Sequence, residues 1–220
     1  MSLPLLSVRA LMRGMSAFIG SIPLPPRTLN DEEQAALLNA TGQRRGAFRD
    51  HLLFSLALAT GLREHELVAL NIGDIADHEG RIRRRLVLRV FKRSTSTPAP
   101  QDVPLSETIR IKLAKFIGWK TSHQQSVAPD APLFVSRKKA ARLSTRQVRH
   151  LFAQWQERAG FTRHFNFHAV RHASVTNIFR DTKDIGLAQM FARHKSILST
   201  MRYNHPDEAE LVRAVQHIRC

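Results

Sequence analysis

Cysteine is nearly absent from these 220 residues: one, Cys220, stands at the end. A single thiol excludes a disulfide framework and any zinc site built on paired cysteines, and it points to a reducing, cytoplasmic setting. No apolar run reaches the length of about 18 residues that spans a bilayer, so no membrane partner is expected. Acid is scarce as well: 18 Asp and Glu face 34 Lys and Arg, a formal net charge of +16. Solubility does not require that much, and a polyanionic partner does. Nucleic acid fits best, because basic residues recur along the whole chain and neutralising phosphates releases counterions from a duplex. A membrane surface fits less well, since no long basic helix with a broad aromatic face stands out. Tyrosine occurs once, at Tyr203, whereas phenylalanine occurs 12 times. A chain that needed aromatic bulk used Phe, so the one phenol is a candidate for chemistry. Internal repeats and low-complexity tracts are also missing.

What is present reads as mainly helical. The first 28 residues contain Arg9, Arg13 and Arg27 and no acid, superficially like a transit peptide. The plainer reading is a short helix over residues 7–18 and a proline-marked linker before the main domain. Asn30 followed by Glu33 gives the signature of a reciprocal helix cap. Residues 45–59 carry enough apolar side chains, Phe48, Leu52, Leu53, Leu56 and Leu58 among them, to be buried on most sides. Thr60-Gly61 breaks that helix, and residues 62–70 resume at helical spacing. From Ile72 the period changes, and segments around residues 72–75, 81–91 and 102–105 read as three strands of a small antiparallel sheet. A polar loop over residues 92–100 joins the last two. Helices are expected over residues 106–120, 145–159, 166–180, 184–193 and 197–203, with Ser144 and Asn166 as caps and a short apolar strand or strap at 133–135 between the first two. A last helix over 207–217 carries a short apolar edge, Leu211, Val215 and Ile218.

The chemistry-bearing residues gather in three places. Arg63 precedes Glu66 by one helical turn, so the carboxylate can direct the guanidinium toward a phosphate; the plain alternative is a surface ion pair. His168 and Arg171 share a helical face. His168 and His172 also have the i, i+4 spacing of zinc-protease helices, but that motif needs Glu directly after the first His, and Ala169 stands there. No metal or cofactor is therefore expected. His194 and Tyr203 lie nine residues apart across a helix junction at Lys195-Ser196, where the plain reading is a capping His and a packing Tyr. The order Arg, His-x-x-Arg, His, Tyr is more specific than any one member.

That order, with its spacings, resembles the catalytic domain of the tyrosine recombinases, the phage-integrase family. The resemblance covers residues 28–217 and rests on Ala59-Thr-Gly-Leu-Arg63-x-x-Glu66, on Phe167-His168-x-x-Arg171-His172, and on Ala192-Arg193-His194 with Thr200 and Tyr203. It implies an α+β fold, mainly α, with a helical catalytic domain and a small three-stranded antiparallel sheet. The implied activity is site-specific DNA strand exchange through a covalent 3′-phosphotyrosine, without cofactor or metal. Tyr203 is then the nucleophile, and Arg63 and Arg171 hold the phosphate. His168 accepts the phenol proton, His194 binds a phosphate oxygen, and Glu66 and His172 support them. Lys92 matches the hairpin lysine that protonates the leaving 5′ oxygen, with Arg89 and Arg93 as rivals.

The implied partner is double-stranded DNA, bound by a monomer that assembles into a homotetramer in the synapse, in the cytoplasm at the nucleoid. Two rivals are a type IB topoisomerase-like enzyme and a non-catalytic DNA-binding accessory protein. The sequence departs from the family pattern twice. Arg193 replaces the glycine usual before the histidine. Residues 1–28 are too few for the usual N-terminal domain, so they are read as a helix and linker and residues 29–220 as the catalytic domain. The chain is then a minimal member or a catalytic fragment, and Met1 points to the former.

Overall fold

Asn30 opens the first helix by the cap its sequence prescribes: Asn30 Oδ1 accepts the Glu33 amide at 2.7 Å, and Glu33 Oε2 accepts the Asn30 amide at 2.9 Å. The computed structural model describes residues 28–89, 101–137, 141–203 and 216. In chain order its elements are α1 (Asp31–Gln43), α2 (Phe48–Thr60), α3 (Glu64–Ala69), α4 (Ile72–Ile75), β1 (Arg85–Leu88) and β2 (Gln101–Pro104). There follow α5 (Glu107–Ser122), α6 (Thr145–Arg158), α7 (His168–Thr182), α8 (Ile185–Ala192) and α9 (Leu198–Met201). The expected N-terminal helix, the C-terminal helix and Lys92 lie outside the described residues.

The central element is α2, which packs against α1, α5 and α7. Leu52, Leu53 and Leu56 are fully buried and Leu58 partly, as a helix with a broad apolar face requires. Its buried Asp50 accepts hydrogen bonds from Arg49 Nε at 2.8 Å and from Trp155 Nε1 of α6 at 3.1 Å. A carboxylate at 2% exposure is tolerated because it is paired and bonded. Most of the apolar core surrounds α2. A second, smaller cluster of Val175, Ala188, Ala192 and Tyr203 lies between α7, α8 and the end of α9.

Two expectations change. The segment from Ile72 to Ile75 is a single helical turn, not a strand. Asn71 and Asp74 form a reciprocal cap around it, with the Asn71 amide donating to Asp74 Oδ2 at 2.7 Å. Ile72 and Gly73 donate their amides to the carbonyls of Ala131 and Pro129, in the loop ahead of the 133–135 segment. Among the described residues the sheet therefore has two strands rather than three, antiparallel, with Leu86 opposite Val103. Where a third strand was expected, isolated bridges flank the turn, Asn71 to Pro132 and Ala76 to Ile82. The 133–135 segment is a strap: Leu133 donates to the Leu70 carbonyl and Phe134 accepts from Leu143. Ser144 caps α6 as expected. Asn166 Oδ1 accepts the Ala169 amide at 3.2 Å, one residue ahead of the α7 N-cap position, Phe167. Among the described residues no helix is long and apolar enough to cross a membrane.

Candidate active site

Gly61 ends α2 in the left-handed conformation, φ +57°, a turn that glycine adopts without the Cβ penalty. That turn delivers two groups to the site. Its carbonyl accepts a hydrogen bond from Arg171 Nη1. Two residues on, Arg63 starts α3, where Glu66 Oε2 accepts the Arg63 amide at 2.7 Å and Glu66 Oε1 accepts Arg63 Nη1 at 2.9 Å. The expected Arg63–Glu66 pair thus forms, but not on the surface: the Glu66 side chain is 6% exposed and the Arg63 side chain 37%. Burial would raise the Glu66 carboxyl, and the guanidinia of Arg193 and Arg63 outweigh it and hold it below the usual range.

Arg171, on the first turn of α7, is 4% exposed and donates to two carbonyls, Gly61 through Nη1 and Ala192 through Nη2. It fastens the end of α2 to the end of α8. Burial, with Arg63 and Arg193 nearby, lowers its pKa to about 10, so it remains a cation at neutral pH. Its guanidinium donates to carbonyls and pairs directly with no carboxylate among the described residues.

The histidines and the tyrosine meet on the neighbouring face. The Tyr203 hydroxyl is hydrogen-bonded to His172 Nδ1. The residue expected to take the phenol proton, His168, sits one turn earlier, its ring edge-on to His172 at 4.4 Å between centroids. The phenol contact thus falls to His172, because the end of α9 packs Tyr203 against the second turn of α7. His194 follows the left-handed C-cap of α8, and its ring is parallel to that of Tyr203, 6.4 Å away. His194 Nδ1 is bonded to Thr200 Oγ1 at 3.0 Å, and Thr200 is fully buried.

The field of the site is positive. Burial, then the charges of Arg171, Arg63 and Arg202, lowers the His194 pKa to about 4. Burial, then His168, Arg202 and Arg171, lowers that of His172 to about 4. His168 is lowered by burial and by Arg171, Arg63 and Arg202. All three rings favour the neutral form, which can accept as well as donate. Burial raises the Tyr203 phenol, against the pull of Arg171 and Arg202. Tyr203 is thus a buried neutral phenol.

The site thus brings together Arg63, Glu66, His168, Arg171, His172, His194 and Tyr203. Lys92 falls outside the described residues, while its rival Arg89 donates to the Ala69 carbonyl and pairs with Asp74 at 3.1 Å. Two participants had no role assigned from sequence. Thr200, quoted there only as part of the family-like segment, fixes the His194 ring. Arg193 pairs with Glu66 at 2.8 Å, and its only sequence signal was a cation where a glycine is usual.

Known proteins share this fold. Among curated relatives, the tyrosine recombinase XerC of Proteus mirabilis is 27% identical over 189 residues, covering 86% of this chain and 57% of its own. XerC of Vibrio parahaemolyticus serotype O3:K6 is 27% identical over 202 residues, covering 92% and 61%. The chain therefore spans roughly three-fifths of these relatives' length. In fold it is similar to the XerA recombinase crystal structure, with TM-score 0.69, 24% identity, and 90% and 68% of the two chains covered. It is also similar to the XerH site-specific recombinase bound to palindromic difH substrate, with TM-score 0.68, 22% identity and coverage of 88% and 53%. The Tn1549 transposon integrase in complex with transposon right end DNA gives TM-score 0.65 at 16% identity, covering 86% and 64%. A model of the phage integrase family matches residues 27–210. The chain belongs to the phage integrase family.

Proposed function

We propose that this protein is a site-specific DNA recombinase that cleaves and rejoins duplex DNA through a covalent 3′-phosphotyrosine at Tyr203. The observation that carries the reading is the meeting of one phenol, Tyr203, with a neutral imidazole, His172, one residue from a buried arginine, Arg171. A phosphodiester resists attack through its charge, the weakness of its nucleophiles and its alkoxide leaving group. Arg63 and Arg171 answer the first by contacting the non-bridging oxygens as charge grows in the pentacoordinate transition state. His194 adds a hydrogen bond to a phosphate oxygen.

Tyr203 needs its proton taken, and an imidazole at about 4 is a weak base for it. The arriving phosphate changes this. Its negative charge offsets the guanidinia that depress His172 and His168, so their pKa values rise when the nucleophile must be activated. Here His172 takes the proton and His168, ring to ring with it, supports that transfer. Lys92 protonates the departing 5′ oxygen. The phosphotyrosyl bond conserves the energy of the broken linkage, so rejoining needs no ATP, and no step asks for a metal. The DNA-bound form is a homotetramer, assembled at the nucleoid from free monomers.

The test is trapping on a nicked duplex that loses a short strand after cleavage. Wild type should give a protein–DNA adduct resistant to SDS; Tyr203→Phe should bind the same DNA with unchanged affinity and give none. An adduct formed normally by Tyr203→Phe would overturn the nucleophile assignment. Fast, sequence-independent relaxation of a plasmid lacking any recombination site would favour a topoisomerase instead.

A further inference from the structure

Arg193 occupies a backbone position built for glycine. It is the C-cap of α8 at φ +54°, in the left-handed region that a side-chain-bearing residue enters at a cost. Its side chain is 8% exposed, where arginine is rarely found without a partner. Nη2 donates to Glu66 Oε2 at 2.8 Å, and Nη1 donates to the Phe191 carbonyl at 3.3 Å. The Glu66 carboxylate is thereby divided: Oε2 takes Arg193 and the Arg63 amide, and Oε1 takes Arg63 Nη1. Arg63 commits one guanidinium nitrogen to this carboxylate.

We infer that Arg193 is a positioning residue for phosphate binding: it neutralises Glu66 so that Arg63 is steered by the carboxylate without being captured by it. The inference rests on the recombinase reading above. A buried carboxylate with Arg63 as its sole cation would draw the whole guanidinium fork onto itself, since bidentate pairing is the strongest arrangement open to the two groups. A fork turned onto Glu66 is turned away from a phosphate. With Arg193 holding Oε2, the remaining Arg63 donors stay directed outward from a side chain that is 37% exposed. The same cation lines the cleft of Gln101, Asp102, His194 and Lys195, beside the imidazole that meets the phosphate.

The inference has a pH signature. The groups facing Glu66 are Arg63 from the start of α3, Arg193 from the end of α8 and, at longer range, Arg171 from α7. A carboxyl held low loses its charge only as pH falls through its folded value. Removing Arg193 raises that value, and protonating Glu66 frees Arg63 from it, so the deficit of the variant relative to wild type should shrink toward acid pH.

The experiment compares adduct formation on the nicked duplex across the pH range for wild type, Arg193→Gly and Arg193→Lys, each also in a Glu66→Gln background. Glycine suits the left-handed turn, so Arg193→Gly should fold, which a melting curve checks. Its cleavage should slow about tenfold or more, as expected when a phosphate-binding group is displaced by about an ångström. The slowing should lessen as pH falls, and Arg193→Lys should recover most of the rate. In Glu66→Gln, adding Arg193→Gly should slow cleavage no further. A wild-type rate and profile for Arg193→Gly would overturn the inference, as would failure of Arg193→Lys to recover. A slowing that persists in the Glu66→Gln background would also overturn it, by tracing the effect to His194. If wild type itself forms no adduct, the proposed function falls and the inference with it. A normal wild-type adduct with an unaltered Arg193→Gly removes the inference alone.

Discussion

His172 and His194 carry the largest downward shifts among the histidines of the site, both to about 4, and burial is the first cause of each. The consequence for stability follows from linkage. In the unfolded chain both rings take up a proton near pH 6.5, while in the fold they stay neutral until about 4. The unfolded state therefore binds more protons between those values, and stability is full above about 6.5 and falls as the medium is acidified toward 4. Since both rings are half-buried, about 1 kcal/mol each is a fair discounted magnitude for the loss. Thermal melts of the free protein from pH 7.5 to 4.5 should show the midpoint falling by several degrees, and His172→Gln should flatten part of that slope. A midpoint as steep in His172→Gln as in wild type would remove His172 from the account. Bound DNA should shrink the slope, because its phosphates favour the charged rings.

At the scale of elements, the turn between α2 and α3 holds the site together, and Gly61 is its weak point. A Cβ placed there would come within 2.9 Å of Phe191 Cε1 and 3.3 Å of Ser174 Oγ, at a φ that disfavours side chains. Phe191 adjoins Ala192, whose carbonyl receives Arg171, so relief of the clash pushes α8 off the arginine it helps hold. Gly61→Ala should lose about 1–3 kcal/mol by urea unfolding and lose more in adduct formation than that stability change explains. Unchanged stability would mean that α8 yields freely. The elements that could be read from sequence are those specified locally: Asn30, Ser144 and Asp184 all cap the helices they precede. The turn at Ile72–Ile75 was misread because apolar residues three apart suit a bent strand as well as a helix. What decides it is the Asn71–Asp74 cap, together with amide acceptors from Ala131 and Pro129, nearly sixty residues away and invisible to any window. The same holds for which histidine of α7 touches the phenol, His172 rather than His168. Spacing shows that both lie toward one side of α7, but only the packing of Tyr203 in the second core selects between them.

At the scale of the molecule, the acids are drawn into holding the fold together. Asp31 and Glu33 of α1 pair with Arg180 and Arg163, Asp50 with Arg49, Glu64 with Arg149, and Glu66 with Arg63 and Arg193. With 34 bases against 18 acids, the excess of 16 positive charges has no carboxylate to match it within the chain. Such an excess repels itself in the compact state, and a duplex relieves that repulsion while releasing its own counterions. Affinity for DNA should then fall steeply with salt. If the bound chain neutralises 6–10 phosphates, about 10³–10⁵-fold of the binding constant is lost between 50 and 200 mM monovalent salt. Fluorescence anisotropy of a labelled duplex across that range measures the slope, and heparin should compete efficiently at low salt. A slope corresponding to only one or two released ions would mean that the positive excess does not face the DNA. The charge would then have to be explained by another polyanion, and the recombinase reading would rest on the active site alone.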